Sequence, residues 1–218
     1  MHLKAILFDL DGTLIDSYRD IAIHLNRTLK DFNKPQVEIQ EVKYMVGGGA
    51  RELLKRFFQD GILEEALKVF REYYLKEPVI HTKPFDGIME VLERARSKGI
   101  ELAVVTNKME SLSKVILQEL GMAEYFSVVI GGDTLSEKKP SPLPVLEALR
   151  HVGALPSEAI IVGDTEADLK AGRLAGVKRG LALWGYVKVQ EEVPDFELHS
   201  PLDLANFLIF DNLKNLKP

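Results

Sequence analysis

The sequence predicts an α/β protein, a doubly wound Rossmann-like parallel sheet with an inserted α-helical cap. Three observations lead there. Short apolar runs alternate with helical stretches from Pro84 onward, the pattern of a parallel sheet covered on both faces. A single apolar run, Lys4 to Phe8, stands at the start. Between them, Ser17 to His81 contains no clear strand. The division this implies is a core of residues 1–14 and 82–218, with a helical cap over 15–81.

In chain order, Lys4 to Phe8 reads as a buried strand, and Asp9 to Leu14 as a turn in which Gly12 allows tight backbone geometry. Ser17 to Asn33 is expected to be helical, because Ile21, Leu25, Thr28, Leu29 and Phe32 recur at helical spacing. Pro35 ends it. Val37 to Glu77 continues as helix, broken at Gly47-Gly48-Gly49 and near Asp60-Gly61, and closed by Pro78. Pro84 to Gly87 opens a helix that Gly99 stops. Glu101 to Val105 is a strand, and Met109 to Leu120 a helix ended by Gly121. Ser127 to Ile130 is a strand. A loop at Lys138 to Pro144 leads into a helix to Val152. Ala159 to Val162 is a strand, Glu166 to Ala175 a helix ended by Gly176, and Lys178 to Leu183 the last clear strand. An amphipathic helix near Leu202 to Phe210 and a polar end complete the chain.

Composition narrows the function. The 218 residues are 46% hydrophobic and 28% charged, normal for a globular chain, with a formal net charge of -5. An acidic balance argues against nucleic acid or an anionic membrane as partner. No apolar stretch approaches the ~18 residues of a membrane span, and the apolar start is interrupted by Asp9, so no signal peptide is read. The absence of cysteine excludes thiolate chemistry and suits a cytoplasmic protein. A small-molecule partner is expected, and the expected assembly is a monomer or homodimer.

Ligands of open parallel sheets bind beyond the carboxyl ends of the strands. Four such places carry unusual polar groups: Asp9 and Asp11; Thr106, Asn107 and Lys108; Lys138 and Lys139; and Asp164, Thr165 and Asp168. If they converge, four carboxylates and one lysine leave -3, and like charges so close resist joint ionisation. A divalent cation relieves this, and hard oxygen ligands point to Mg2+. A strand-end carboxylate beside a metal can attack phosphorus, with a lysine and a hydroxyl holding phosphoryl oxygens. A second carboxyl protonates the leaving oxygen and then activates water.

The run Asp9-Leu10-Asp11-Gly12-Thr13-Leu14, the pair Thr106-Asn107, the pair Lys139-Pro140 and the run Gly163-Asp164-Thr165-Glu166-Ala167-Asp168 resemble the four motifs of the haloacid dehalogenase superfamily in order and spacing. The resemblance implies Asp9 as nucleophile, Asp11 as acid/base, and Thr106 and Lys139 as phosphoryl ligands. It implies a metal held by Asp9, Asp164, Asp168 and the backbone carbonyl of Asp11. Dehalogenases lack the second aspartate, so Asp11 implies phosphoester chemistry. The helical insertion, Thr106-Asn107-Lys108 and the stretch from Gly131 to Pro140 resemble the phosphoglycolate phosphatase subgroup, which implies 2-phosphoglycolate as substrate. A pyrophosphatase, a sugar or nucleotide phosphatase, a sugar-phosphate mutase and a non-catalytic phosphate binder are the rival readings.

Substrate contacts are expected from Asn107, Gly12 and Arg51. Gly47-Gly48-Gly49 reads either as a flexible turn or as a specificity loop whose amides approach the anion, with Arg51 available for a substrate carboxylate. Lys108 is either in the site or solvated. Lys138 competes with Lys139 for the phosphate. Asp133 either lines the site or closes a turn. The five histidines fall in no metal-binding spacing, and Trp184 reads as packing.

Overall fold

The computed structural model describes residues 3–187 and 189–210. The polar end expected beyond Phe210 lies outside the described residues. The core strands are β1 (Ala5–Phe8), β4 (Glu101–Val105), β5 (Val128–Ile130), β6 (Ala159–Gly163), β7 (Lys178–Ala182) and β8 (Phe196–Leu198). Two further strands, β2 (Ile15–Asp16) and β3 (Lys83–Pro84), form a separate antiparallel ribbon. The six core strands make one sheet in the order β5-β4-β1-β6-β7-β8, and every neighbouring pair is parallel.

The reason lies in the side chains. Every residue of β1 is buried, as a strand covered on both faces requires. Strand periodicity sends Ile6 and Phe8 into one hydrophobic layer and Ala5 and Leu7 into the other. Ile6 pairs in register with Leu102 and with Ile160, which share its layer. Leu7 pairs with Ala103 and Ile161, which share the opposite one. A slip of one residue would turn each strand's apolar set to the wrong layer.

Helices α5 (Ile88–Ser97), α6 (Glu110–Glu119), α7 (Leu143–Val152), α8 (Glu166–Ala175) and α9 (Pro201–Phe210) belong to the core part of the chain. Between the ribbon strands the α-helices are α1 (Tyr18–Asp31), α2 (Ile39–Val42), α3 (Ala50–Leu54) and α4 (Asp60–Lys76), with no strand among them. The chain leaves on β2 and returns on β3, with Ile15 opposite Pro84 and Asp16 opposite Lys83. Asp20 fastens this junction. Its buried carboxylate accepts hydrogen bonds from the amides of Ile80, His81 and Thr82 and from the Thr82 hydroxyl at 2.5–3.0 Å. Burial pushes the Asp20 carboxyl up, but these donors hold it below its ordinary value.

Periodicity ends the sheet at residue 183, and β8 adds a strand beyond that point. That strand has only three residues, preceded by Pro194 and Asp195, and is too short for periodicity to reveal. It is held by pairing with β7, where Phe196 lies opposite Gly180. A Cβ on Gly180 would come within 2.5 Å of the Phe196 ring, so the glycine admits that ring. No helix among the described residues is long and apolar enough to cross a membrane.

Candidate active site

The strand order reverses beside β1, since the chain adds β4 and β5 on one side and β6 to β8 on the other. A crevice opens at such a switch point, beyond the carboxyl ends of the strands. Asp9 follows β1 and Asp164 follows β6, so the two carboxylates flank it. A loop after β4 brings Thr106, and the loop before α7 brings Lys139.

Lys139 sits at the centre, with 3% of its surface exposed. It donates to Asp9 Oδ1 at 2.8 Å, to Asp168 Oδ1 at 2.6 Å and to the carbonyl of Val105. Burial lowers its pKa, but Asp168 and Asp9 more than offset that and raise it. Lys138 points elsewhere and donates to the carbonyl of Gly48 at 2.8 Å. Of the two competing lysines, Lys139 is therefore the one beside Asp9.

Asp9, Asp164 and Asp168 each offer a carboxylate oxygen within 4.8 Å of the others. Burial raises the Asp9 carboxyl from 3.8 to about 7, with Lys139 opposing and Asp168 and Asp11 adding repulsion. Asp164 is raised well above its ordinary value by burial and by the charges of Asp9 and Asp168. Each carboxylate is oriented by neighbours. Asp164 accepts from the Thr13 hydroxyl at 3.1 Å and the Tyr186 amide at 2.9 Å. Asp168 accepts from the Thr165 amide and hydroxyl at 3.0 and 2.6 Å, a capping box at the start of α8.

The Asp11 side chain turns away from that trio. It accepts from the Ser17 hydroxyl at 2.6 Å and from Lys108, whose ammonium lies 3.0–3.1 Å from both its oxygens. Lys108 is thus buried in the site and not solvated. It also donates to the Tyr74 hydroxyl of α4 at 3.2 Å. Its presence changes the charge count, because four carboxylates and two ammoniums leave -2. That is the charge one divalent cation neutralises, and the donors are all hard oxygens in a chain with no cysteine. The residues fit such an ion.

Gly12 has φ +89, and a Cβ there would lie 2.4 Å from Asp164 Oδ2. It lets the backbone turn against that carboxylate. Asn107 donates to the carbonyls of Gly47 and Lys139 at 3.0 and 3.1 Å, so its amide NH2 joins the helical segment to the lysine loop. The glycine run meets the core through the carbonyls of Gly47 and Gly48, and Gly47 and Gly49 line the cavity beside the site. Gly49, at φ +81, would press a Cβ to 2.6 Å from the Asn107 carbonyl, so the run admits close approach of the 107 loop. Asp133 accepts from the amide of Glu110 at 2.7 Å. It therefore caps α6 while also lining the cavity.

That cavity has a volume of about 320 Å³ and reaches from Asp9, Asp11 and Thr106 to α3 and α4. Arg51 borders it, but its guanidinium pairs with Glu64 at the surface. Several contributors carry no signal in the sequence. Tyr186 is one: its hydroxyl accepts from the amides of Ser17 and Tyr18 at 2.6 and 3.2 Å and donates to Asp16 at 2.9 Å. Burial, with Asp16 and Asp11, raises its pKa. Tyr74 and Arg71, which also line the cavity, looked like ordinary helix residues. Trp184 does more than pack, since its indole N–H donates to the Thr13 carbonyl at 3.0 Å.

Comparison with known proteins places these features. The haloacid dehalogenase-like hydrolase model matches residues 6–182. A phosphoglycolate phosphatase of Aquifex aeolicus is 50% identical over 206 residues, covering 94% of this chain and 97% of that protein. Phosphoglycolate phosphatase 1 of Pseudomonas aeruginosa is 34% identical over 227 residues, covering 99% and 79%. The crystal structure of a predicted phosphoglycolate phosphatase from Haemophilus somnus superimposes with a TM-score of 0.87 at 30% identity, covering 97% of this chain and 99% of that one.

Proposed function

The chain belongs to the haloacid dehalogenase-like hydrolase family, and from that membership we propose that it is a Mg2+-dependent phosphatase of 2-phosphoglycolate working through a phosphorylated Asp9. The observation that carries the proposal is the buried ammonium of Lys139 between Asp9 and Asp168, with the oxygens of Asp9, Asp164 and Asp168 gathered beside it. The choice of substrate rests on the relatives named phosphoglycolate phosphatase.

In this reading Asp9 attacks phosphorus and the leaving oxygen takes a proton from Asp11. Lys139 and the Thr106 hydroxyl hold phosphoryl oxygens as charge builds on them. Asp11 then removes a proton from the water that hydrolyses the aspartyl-phosphate, releasing phosphate and regenerating Asp9. Lys108 and Ser17 aim the Asp11 carboxyl throughout. A divalent cation held by Asp9, Asp164, Asp168 and the backbone carbonyl of Asp11 would offset the charge of nucleophile and phosphate. The helical segment acts as a cap over residues 15–81, excluding water from the transfer when it lies over the site. The lack of cysteine supports a cytoplasmic setting.

The test is a turnover screen with Mg2+ against 2-phosphoglycolate, pyrophosphate, nucleoside monophosphates and hexose phosphates, with Asp9→Asn as control. The expected result is preference for 2-phosphoglycolate and none for the control. Equal turnover by the control would overturn the mechanism. Preference for another ester would overturn the substrate alone.

A further inference from the structure

The cations around the cavity are not equivalent. Lys139 is matched by Asp9 and Asp168, Lys108 by Asp11, and Arg51 by Glu64. Lys138 donates to the Gly48 carbonyl. Arg71 stands apart. It lines the same cavity from α4, its Nε is buried, and that Nε has no hydrogen-bond partner. Among the described residues no carboxylate pairs with it.

Buried donors are almost always satisfied, and an orphan carries the whole desolvation penalty. A guanidinium presents Nε and one Nη as a fork that matches a carboxylate. The place of Arg71 on its helix adds direction. Tyr74 lies three residues on, one turn along the same face. The Tyr74 hydroxyl touches Lys108, which touches Asp11. Arg71 therefore stands about one helical turn from Tyr74 and lines, with Tyr74, Lys108 and Asp11, the cavity in which phosphorus is proposed to react. A cavity of about 320 Å³ is at the small end for ligand sites, which suits a short ester with two charged ends.

We infer that Arg71, and not Arg51, binds the carboxylate of the substrate and selects a phosphate ester that carries a second anionic group. This rests on the proposed phosphatase reading. Substrate would complete the hydrogen bonding that Nε lacks, while Arg51 remains a surface residue tied to Glu64.

The test compares kcat/KM for 2-phosphoglycolate and for ethyl phosphate, which lacks the carboxylate. Arg71→Gln lowers the ratio of the two by about 100-fold, the loss of a charge-assisted hydrogen-bonded pair, and it does so chiefly through KM. Arg71→Lys keeps part of the ratio, because an ammonium retains the charge without the fork. Arg51→Gln leaves the ratio within about threefold. A ratio held within threefold in Arg71→Gln, or an equal fall in Arg51→Gln, overturns the inference while the substrate reading stands. Loss of both substrates in both Arg71 variants also overturns it, since a selectivity residue spares the ester that lacks a carboxylate. A parent enzyme with no preference for 2-phosphoglycolate over ethyl phosphate sinks the substrate reading, and this inference with it.

Discussion

Replacing Asp9 by Asn should stabilise the metal-free protein above neutral pH. Asp9 is buried, and its carboxyl is raised from 3.8 to about 7, first by burial and then by Asp168 and Asp11, against the pull of Lys139. A value higher in the folded than in the unfolded chain has a definite sign. The contribution to stability is full below about pH 3.8, is lost as pH rises towards 7, and stays lost above it. The ionised Asp9 therefore costs the folded state at most about 4 kcal/mol at pH 8. The repulsion is shared with Asp164, and Asn gives up the charge attraction to Lys139. A net gain of about 2 kcal/mol is expected, roughly 4–8 °C in Tm for a chain of this size. Thermal melts in chelator at pH 5 and pH 8 measure it. The advantage of the variant should be much larger at pH 8, and Mg2+ should narrow it by stabilising the parent. A variant no more stable than the parent at pH 8, or equally favoured at both pH values, would refute the reasoning.

Three further outcomes follow from the same geometry. Lys139→Met removes the ammonium between Asp9 and Asp168, and kcat should fall by at least about 100-fold; steady-state rates decide, and a loss under tenfold would count against its role. Asp20→Ala leaves the amides of residues 80–82 without their acceptor and should lower stability by about 3 kcal/mol in urea unfolding at pH 7. Because the Asp20 carboxyl is held below its ordinary value, its contribution is present above about pH 3.8 and shrinks as pH falls below that, so the parent and variant curves should converge in acid. Gly12→Ala drives a Cβ into Asp164 at φ +89, and a Mg2+ titration should show affinity at least about tenfold weaker.

Much of the fold was legible because its signals are local. A run such as Ala-Ile-Leu-Phe, buried on both faces, announces a central parallel strand without any knowledge of its partners. The glycine after Ala175, at φ +75, announces a helix end in the same way. Elements defined only by pairing were not legible. Neither the three residues of β8 nor the two-residue strands of the ribbon carry enough periodicity to be seen alone.

The site divides along the same line. Asp9, Asp164, Thr106 and Lys139 follow or approach strand ends whose positions the sequence announces, and parallel pairing must bring those ends together. The sequence by itself therefore determined which strand ends gather, and Asp9, Asp164 and Asp168 meet there while the Asp11 side chain turns to Lys108. Tertiary structure decided what surrounds them. Lys108 looked as though it could be solvated, and only the approach of Asp11 and Tyr74 shows it buried. Arg51 and Arg71 are equivalent as letters. Their partners differ because α4 carries Glu64 to one and leaves the other over the cavity. Side-chain direction on a helix far from the sheet is set by packing across long sequence separations, and no short pattern encodes it.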